Sequence, residues 1–281
     1  MFHLTESQIT AIQYLANFKY LTSSQIVKMG LFKKRDYLTR SLKKLLDVNN
    51  PLIAKYDFNP VNGKLESFYY LTKYGKMFLQ NEFEYSLDQI KAPRGYKTMQ
   101  LKDYFHRRFT ISFHIYLRQW LDNKNGEMLF LDYYFDKSGN NRSTIKNEHV
   151  TALNRIKLKD TNSFIPDINT MFSIDNKEYL YLFEQHNGKD SKRLFEQLYI
   201  HIIAISQGVV SDKYNFKKSH KVIVVCEFES VKKSVMNRLQ KEDGIESYNN
   251  LFLFKTNKEL DEDFYNNWSC IDGMKVNFIG K

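Results

Sequence analysis

The chain has 281 residues and a formal net charge of +10, with 42 Lys and Arg against 32 Asp and Glu. This positive excess favours a polyanionic partner, and nucleic acid is expected before a membrane surface because no long basic amphipathic segment stands out. No apolar run approaches the roughly 18 residues of a spanning helix, so no membrane partner is expected.

The cysteines and the first residues bear on the compartment. Cys226 and Cys270 stand apart, without the close Cys or His spacing of a zinc site. Neither a disulfide framework nor a zinc site is therefore predicted. The opening residues, MFHLTESQIT, lack the apolar core of a signal peptide. We expect a cytoplasmic location.

Two capping boxes mark the first helices. Thr5 and Thr22 are each followed three residues later by a glutamine, Gln8 and Gln25. In this T-x-x-Q pattern the threonine and the glutamine satisfy each other's backbone N–H groups, so a helix is predicted to begin after each threonine. Gly30 is predicted to end the second helix.

The third predicted helix lies in LFKKRDYLTRSLKKLLDV and has an apolar back and a basic front. Leu38, Leu42 and Leu45 follow the i, i+4, i+7 spacing of a buried face, while most of the cations fall on the opposite side of the helical wheel. A helix of this kind can enter the major groove of DNA. The predicted DNA contacts on it are Lys33, Lys34, Arg35, Arg40, Lys43 and Lys44.

A hairpin and a fourth helix complete the first predicted domain, residues 1–83. Strands are predicted at 52–58 and 66–71 around an Asn62-Gly63 turn, followed by a helix over 73–83. This order is that of a winged helix-turn-helix domain, whose wing carries Lys55 and Lys64 toward a phosphate backbone. Two alternatives to DNA binding remain. The basic face is only solvated, or the winged helix serves as a protein–protein adaptor.

A second predicted domain, residues 101–281, follows a linker over 84–100 that contains Pro93 and Gly95. Its order is α-β-β-β-α-β-α-β, with a mobile insertion over 136–163, so the whole chain is predicted to be α+β with a mixed sheet flanked by helices. The elements are predicted at 101–121, 128–135, 168–174, 179–183, 190–207, 221–226, 231–239 and 251–254.

Two acids are predicted to converge in the central hairpin, FIPDINTMFSIDNKEYLYLFEQHNG. Asp167 opens its first strand and Glu184 closes its second, and antiparallel pairing places these two ends side by side. Convergent carboxylates can hold Mg²⁺ or Mn²⁺, which polarises a phosphate and activates water. The alternative is that both are solvated ends of a hairpin.

The P-D, hairpin and E-x-x pattern resembles the core of the PD-(D/E)XK phosphodiesterases, which include restriction endonucleases. That resemblance implies Asp167 and Glu184 as metal ligands and catalytic residues. It implies a lysine two positions after the glutamate, where this chain has His186. His186 or the nearby Lys189 is then expected to position water or to stabilise charge.

With its N-terminal winged helix, the chain resembles the replication-relaxation family and its MobC-type plasmid relaxases. Glu184-Gln185-His186-Asn187-Gly188 is similar to an E-x-D-x-G pattern of that family, and Asp132 stands where the family often has another acid, a further candidate metal ligand. The resemblance implies a protein that recognises an origin on a mobile element and nicks or relaxes DNA, alongside other mobilisation or replication proteins. The alternatives are a catalytically inactive initiator or accessory factor that binds the origin, and a transcriptional regulator with a sensor domain.

Overall fold

The computed structural model of the chain is a mixed α+β protein, as predicted. It divides into two compact units, Met1–Ile115 and Tyr116–Lys281. No helix among the described residues is long and apolar enough to cross a membrane. The residues that the structure describes are 4–58, 65–93, 101–138, 151–160 and 162–280.

The first unit begins with the two helices that the capping boxes predict. Thr5 and Thr22 each accept a hydrogen bond from the backbone N–H of the glutamine three residues on, and the side-chain oxygen of each glutamine accepts one from the backbone N–H of its threonine. Both predicted caps are confirmed. The elements of this unit are α1 (Glu6–Phe18), β1 (Leu21–Thr22), α2 (Ser23–Lys28), α3 (Arg35–Leu46), β2 (Ile53–Tyr56), β3 (Phe68–Leu71), α4 (Lys73–Phe83) and the first part of α5 (Tyr104–Asn123).

An antiparallel sheet in the order β1-β3-β2 packs with the helices of this unit. The predicted back of α3 is confirmed, since Leu38, Leu42 and Leu45 are all buried. Gly75 lets α4 approach β2, because a Cβ there would run into the carbonyl oxygen of Leu52. The predicted turn over 59–64, with Lys64, lies outside the described residues.

The described part of the predicted linker belongs to the first unit and packs against α1. Leu87–Gln89 forms a single 3-10 turn, and the Ile90 side chain after it is buried. The backbone N–H of Lys91 donates to the carbonyl oxygen of Ala16 in α1 at 2.8 Å. Residues 84–93 are therefore held by local turns and by α1, while 94–100 fall outside the described ranges.

The second unit is built on a seven-stranded sheet in the order β14-β13-β12-β11-β10-β9-β4. The central strands β10, β11 and β12 run parallel, whereas the pairs toward both edges are antiparallel. Its main elements are β4 (Glu127–Tyr133), β9 (Ile168–Ile174), β10 (Lys177–His186), α6 (Ser191–Gln207), α7 (Val209–Lys213), β11 (Lys221–Cys226), α8 (Glu229–Leu239), β12 (Phe252–Thr256), α9 (Asn257–Glu262), β13 (Trp268–Ser269) and β14 (Lys275–Val276).

Helix α6 covers one face of this sheet. Its Leu194 and Leu198 pack with Val222 and Val224 of β11 in one apolar cluster, while Ala204 joins Leu180, Leu182 and Met171 in another. The predicted inward positions Leu194 and Leu198 are confirmed. Ile202 and Ile205 are only half-buried, because the buried stripe continues instead through His201 and Ala204.

The predicted mobile insertion is wrong for residues 151–160. This segment carries the short strands β6 (Thr151–Ala152) and β7 (Ile156–Lys157), which pair with β5 (Lys137–Ser138) and β8 (Ser163–Phe164). Ile156 and Leu158 belong to the apolar cluster of Met171 and Leu180. Burial of these side chains orders a segment that its polar composition marked as a loop.

Candidate functional site: a buried acid pair and an exposed basic helix

Asp167 and Glu184 lie side by side, as the hairpin register predicts. Ile168 pairs with Phe183, so the preceding Asp167 stands opposite Glu184. The backbone N–H of Asp167 donates to the Phe183 carbonyl oxygen at 3.0 Å, and the N–H of Gln185 donates to Asp167 Oδ2 at 2.7 Å. The carboxyl of Asp167 is thus held by the backbone of the strand that carries Glu184.

Two side chains of α6 hold the carboxyl of Glu184. His201 Nε2 lies 2.6 Å from Glu184 Oε1, and the Gln197 side-chain amide donates to Glu184 Oε2. Gln197 and His201 are four residues apart, so they project from the same side of α6. Both oxygens of Glu184 are therefore bonded within the protein.

The surroundings of Glu184 disfavour charge. Glu184 and His201 are 1% and 0% exposed, and Asp167 is also buried. Burial, followed by the negative charge of Asp167, raises the pKa of Glu184 well above its usual value. Burial, followed by the nearby His220, lowers the pKa of His201 well below its usual value. We infer that Glu184 and His201 form a hydrogen-bonded pair without net charge.

The other predicted catalytic residues occupy different surroundings. His186 is buried. It comes two residues after Glu184 and therefore lies on the same side of β10. Its carbonyl oxygen accepts from the backbone N–H of Glu227 at 2.9 Å. Lys189 is exposed, and its Nζ lies 5.9 Å from the centre of the Phe228 ring. His186 is thus near the acid pair, whereas the Lys189 side chain is directed at Phe228.

Asp132 lies beside Asn169 rather than beside Asp167. It pairs with Asn169 across β4 and β9. Burial lowers the pKa of Lys213, and the charge of Asp132 partly opposes that shift. The same charge adds to the effect of burial on the pKa of Tyr214. Burial, the larger cause, raises the pKa of Tyr214 to about 12. The structure therefore brings two of the three predicted metal ligands together and places the third in a neighbouring polar cluster.

The acid pair as arranged does not fit a directly bound Mg²⁺ or Mn²⁺. Three carboxyl oxygens accept from, or lie at hydrogen-bond distance to, protein nitrogens, and burial raises the pKa of Glu184 well above its usual value, which disfavours the charged form that binds cations. Within the described ranges, no group of three or more His, Cys, Asp or Glu side chains is arranged to hold a metal ion.

The sequence reasoning missed Gln197 and His201 as members of this site. The signal was present, because His201 continues the i, i+4, i+7 line of Leu194 and Leu198 into the core. A histidine on a buried line needs a hydrogen-bond partner. Its partner, however, lies on a strand seventeen residues earlier, and spacing alone does not reveal that contact.

The basic front of α3 is exposed. Arg35 pairs with Glu66 at 2.8 Å, and Arg40 lies 5.8 Å from the centre of the exposed Tyr37 ring. On β2, Lys55 pairs with Asp57 at 2.8 Å, so part of its charge is compensated. The exposed cations at and before this helix are Lys33, Lys34, Arg35, Arg40, Lys43 and Lys44.

Comparisons of the chain with protein-family models, curated proteins and solved structures found no match. What the protein does is therefore inferred from its own residues. Two features bear on it, the exposed cations of α3 in the first unit and the buried acid pair in the second.

Proposed function

We propose that the protein binds double-stranded DNA through a winged helix-turn-helix domain in its first unit, with α3 in the major groove. The observation that carries this proposal is the division of α3 into a buried leucine back and an exposed cationic front. A helix anchored in this way presents its cations to phosphates and base edges without unfolding. The net charge of +10 adds a general attraction for the DNA polyanion.

We further propose that the second unit is a restriction-endonuclease-like domain and that the protein recognises an origin on a mobile element. Two features support the endonuclease-like domain. The chain passes from β10 through α6 to the parallel strand β11 of a mixed sheet, and an acid pair lies at the open end of the β9–β10 hairpin. The resemblance to the replication-relaxation family supports an origin on a mobile element as the DNA that is recognised. With Glu184 bonded to Gln197 and His201, an origin-binding initiator or mobilisation accessory factor is the function we favour.

Metal-dependent cleavage of DNA is the second candidate function. The convergence of Asp167 and Glu184 favours it, since this pair is the one that a Mg²⁺- or Mn²⁺-dependent nickase of this type would use. His186 lies near enough in the chain to serve as the base or charge stabiliser in place of lysine. The hydrogen bonds to Glu184 weigh against it.

Gel retardation of duplex DNA, together with a nicking assay on supercoiled plasmid, distinguishes the two functions. We expect the wild-type protein to retard duplex DNA in a gel while leaving the plasmid supercoiled in Mn²⁺, because Glu184 remains bonded inside the fold. Nicking by the wild type, abolished in both Asp167→Ala and Glu184→Ala but kept in the surface control Lys258→Ala, would instead establish cleavage. Failure to retard any duplex would contradict the DNA-binding proposal itself.

A further inference from the structure

A row of cations lies on the second unit, apart from α3. Residues 154 to 159 alternate between the interior and the solvent: Asn154, Ile156 and Leu158 are buried, whereas the residues between and after them are exposed. Every exposed position of this alternation is basic. We call these three residues, Arg155, Lys157 and Lys159, the basic ridge.

The base of the ridge is fixed to the sheet that carries the acid pair. The Asn154 side chain donates to the carbonyl oxygen of Pro166, next to Asp167. The carbonyl oxygen of Asn154 accepts from Asn169 Nδ2 at 3.0 Å. Ile156 pairs with Phe164 between β7 and β8. The ridge therefore stands on the segment that leads into the β9–β10 hairpin.

Helices α6 and α7 fix the ridge from the other side. Lys213 Nζ in α7 donates to the carbonyl oxygens of Leu153 and Arg155, at 3.1 and 3.0 Å. The backbone N–H of Lys159 donates to Gln207 Oε1 in α6 at 2.9 Å. With the backbone of Arg155 and Lys159 and of the neighbouring Leu153 tied by these bonds, the ridge loses little conformational entropy when a partner binds.

The chemistry around the ridge suits a polyanion. A groove of ≈ 520 Å³ lies beside two of the ridge residues, Arg155 and Lys157. Its other lining residues are Lys213, Asp212, the hydroxyl-bearing Ser138 and Thr151, and the apolar Ala152, Leu153, Ile156 and Val209. Asp160 and Asp212 border the same region, so the cations outnumber the acids. Arg155 and Lys157 stand on either side of Ile156 at the strand β7. Alternate residues of extended chain are about 6.6 Å apart, a spacing that lets these two cations reach different phosphates of one DNA strand.

We propose that the basic ridge is a second contact for the phosphate backbone of DNA, distinct from α3. The inference rests on the proposed DNA binding and adds to it a site on the second unit. The segment that carries the ridge is bonded through Asn154 to Pro166, the residue before Asp167. The ridge thereby gives the acid-bearing unit its own hold on the nucleic acid.

The test compares two triple variants of the full-length chain, both of which remove three charges. The ridge variant carries Arg155→Gln, Lys157→Gln and Lys159→Gln; the control carries glutamine at Lys192, Lys233 and Lys258, exposed lysines that pair with glutamates on their own helices. We expect the ridge variant to bind duplex DNA about 10- to 100-fold more weakly and to lower the salt slope by about 2 to 3. The control should match the wild type.

A charge-preserving variant, Arg155→Lys with Lys157→Arg and Lys159→Arg, guards against a folding artefact and should keep wild-type affinity. Equal affinity of the ridge variant and the control, while replacement of the α3 cations weakens binding, would overturn the ridge and leave the proposed function intact. A wild type that binds no duplex would overturn both. Polyglutamate serves as a probe for an acidic protein partner. If the ridge variant lost binding to polyglutamate but kept wild-type affinity for duplex DNA, the surface would belong to an acidic protein and the inference would be wrong.

Discussion

Alanine at Arg40, Lys43 and Lys44 should weaken binding to duplex DNA by roughly 100-fold, on the basis of about 1 kcal/mol for each lost phosphate contact. All three side chains are exposed on the front of α3, and their replacement leaves the buried leucines in place. Alanine also favours the helix, so the variant should fold. The slope of log affinity against log salt should fall by about 3, one for each contact.

The matched control for this variant removes three charges elsewhere in the first unit. Lys28, Lys73 and Lys102 are exposed and lie outside α3. Their replacement by alanine should change affinity only slightly through the smaller net charge. If the two variants bound duplex DNA alike over a salt series, α3 would not be the contact and the adaptor alternative would apply.

Removal of the imidazole in His201→Ala should destabilise the second unit by about 1 to 3 kcal/mol, because it leaves one oxygen of a buried carboxyl without its hydrogen-bond partner. Glu184 is 1% exposed and relies on His201 and Gln197 for its hydrogen bonds. The double variant Glu184→Leu, His201→Leu should recover much of that loss, since it removes both polar groups together. Urea unfolding followed by tryptophan fluorescence measures this unit alone, as Trp120 and Trp268 both belong to it.

The pH dependence of Glu184→Gln separates a charge effect from a packing effect. Folding raises the pKa of Glu184 above its value in the unfolded chain. The contribution of this group to the free energy of unfolding is therefore fully present below the unfolded pKa and is lost as the pH rises through the folded pKa. Glutamine keeps the shape without titrating, and the variant should therefore gain stability relative to the wild type as pH rises from about 4.5 to 7. A difference that stayed constant over this interval, or a negligible cost of His201→Ala, would show that the pair is not a buried, mutually dependent unit.

Local patterns predicted the parts of the fold whose causes are local. The capping boxes at Thr5 and Thr22 and the leucine line of α3 depend on residues three to seven apart. The β9–β10 hairpin depends on a turn at Asp175 and Asn176, which adopt φ values of 50° and 58°. Its register then places Asp167 opposite Glu184 without any further information.

What the sequence did not reveal depends on distant contacts or on very short elements. His201 reaches Glu184 across the sheet face, and Ile156 is buried against strands that lie later in the chain. The short α9, β13 and β14 near the C-terminus carry too few residues for a period to emerge. The predicted last strand at 251–254 is confirmed in outline as β12, although the sheet continues beyond it.

Lysine labelling of the full chain, with and without duplex DNA, tests the central claim most directly. An amine-reactive reagent followed by mass spectrometry gives the reactivity of each exposed lysine. DNA bound through α3 should protect Lys33, Lys34, Lys43 and Lys44 severalfold, while Lys28, Lys73 and Lys102 react as before. Equal reactivity of both sets, under conditions where the DNA is bound, would contradict the placement of DNA on α3.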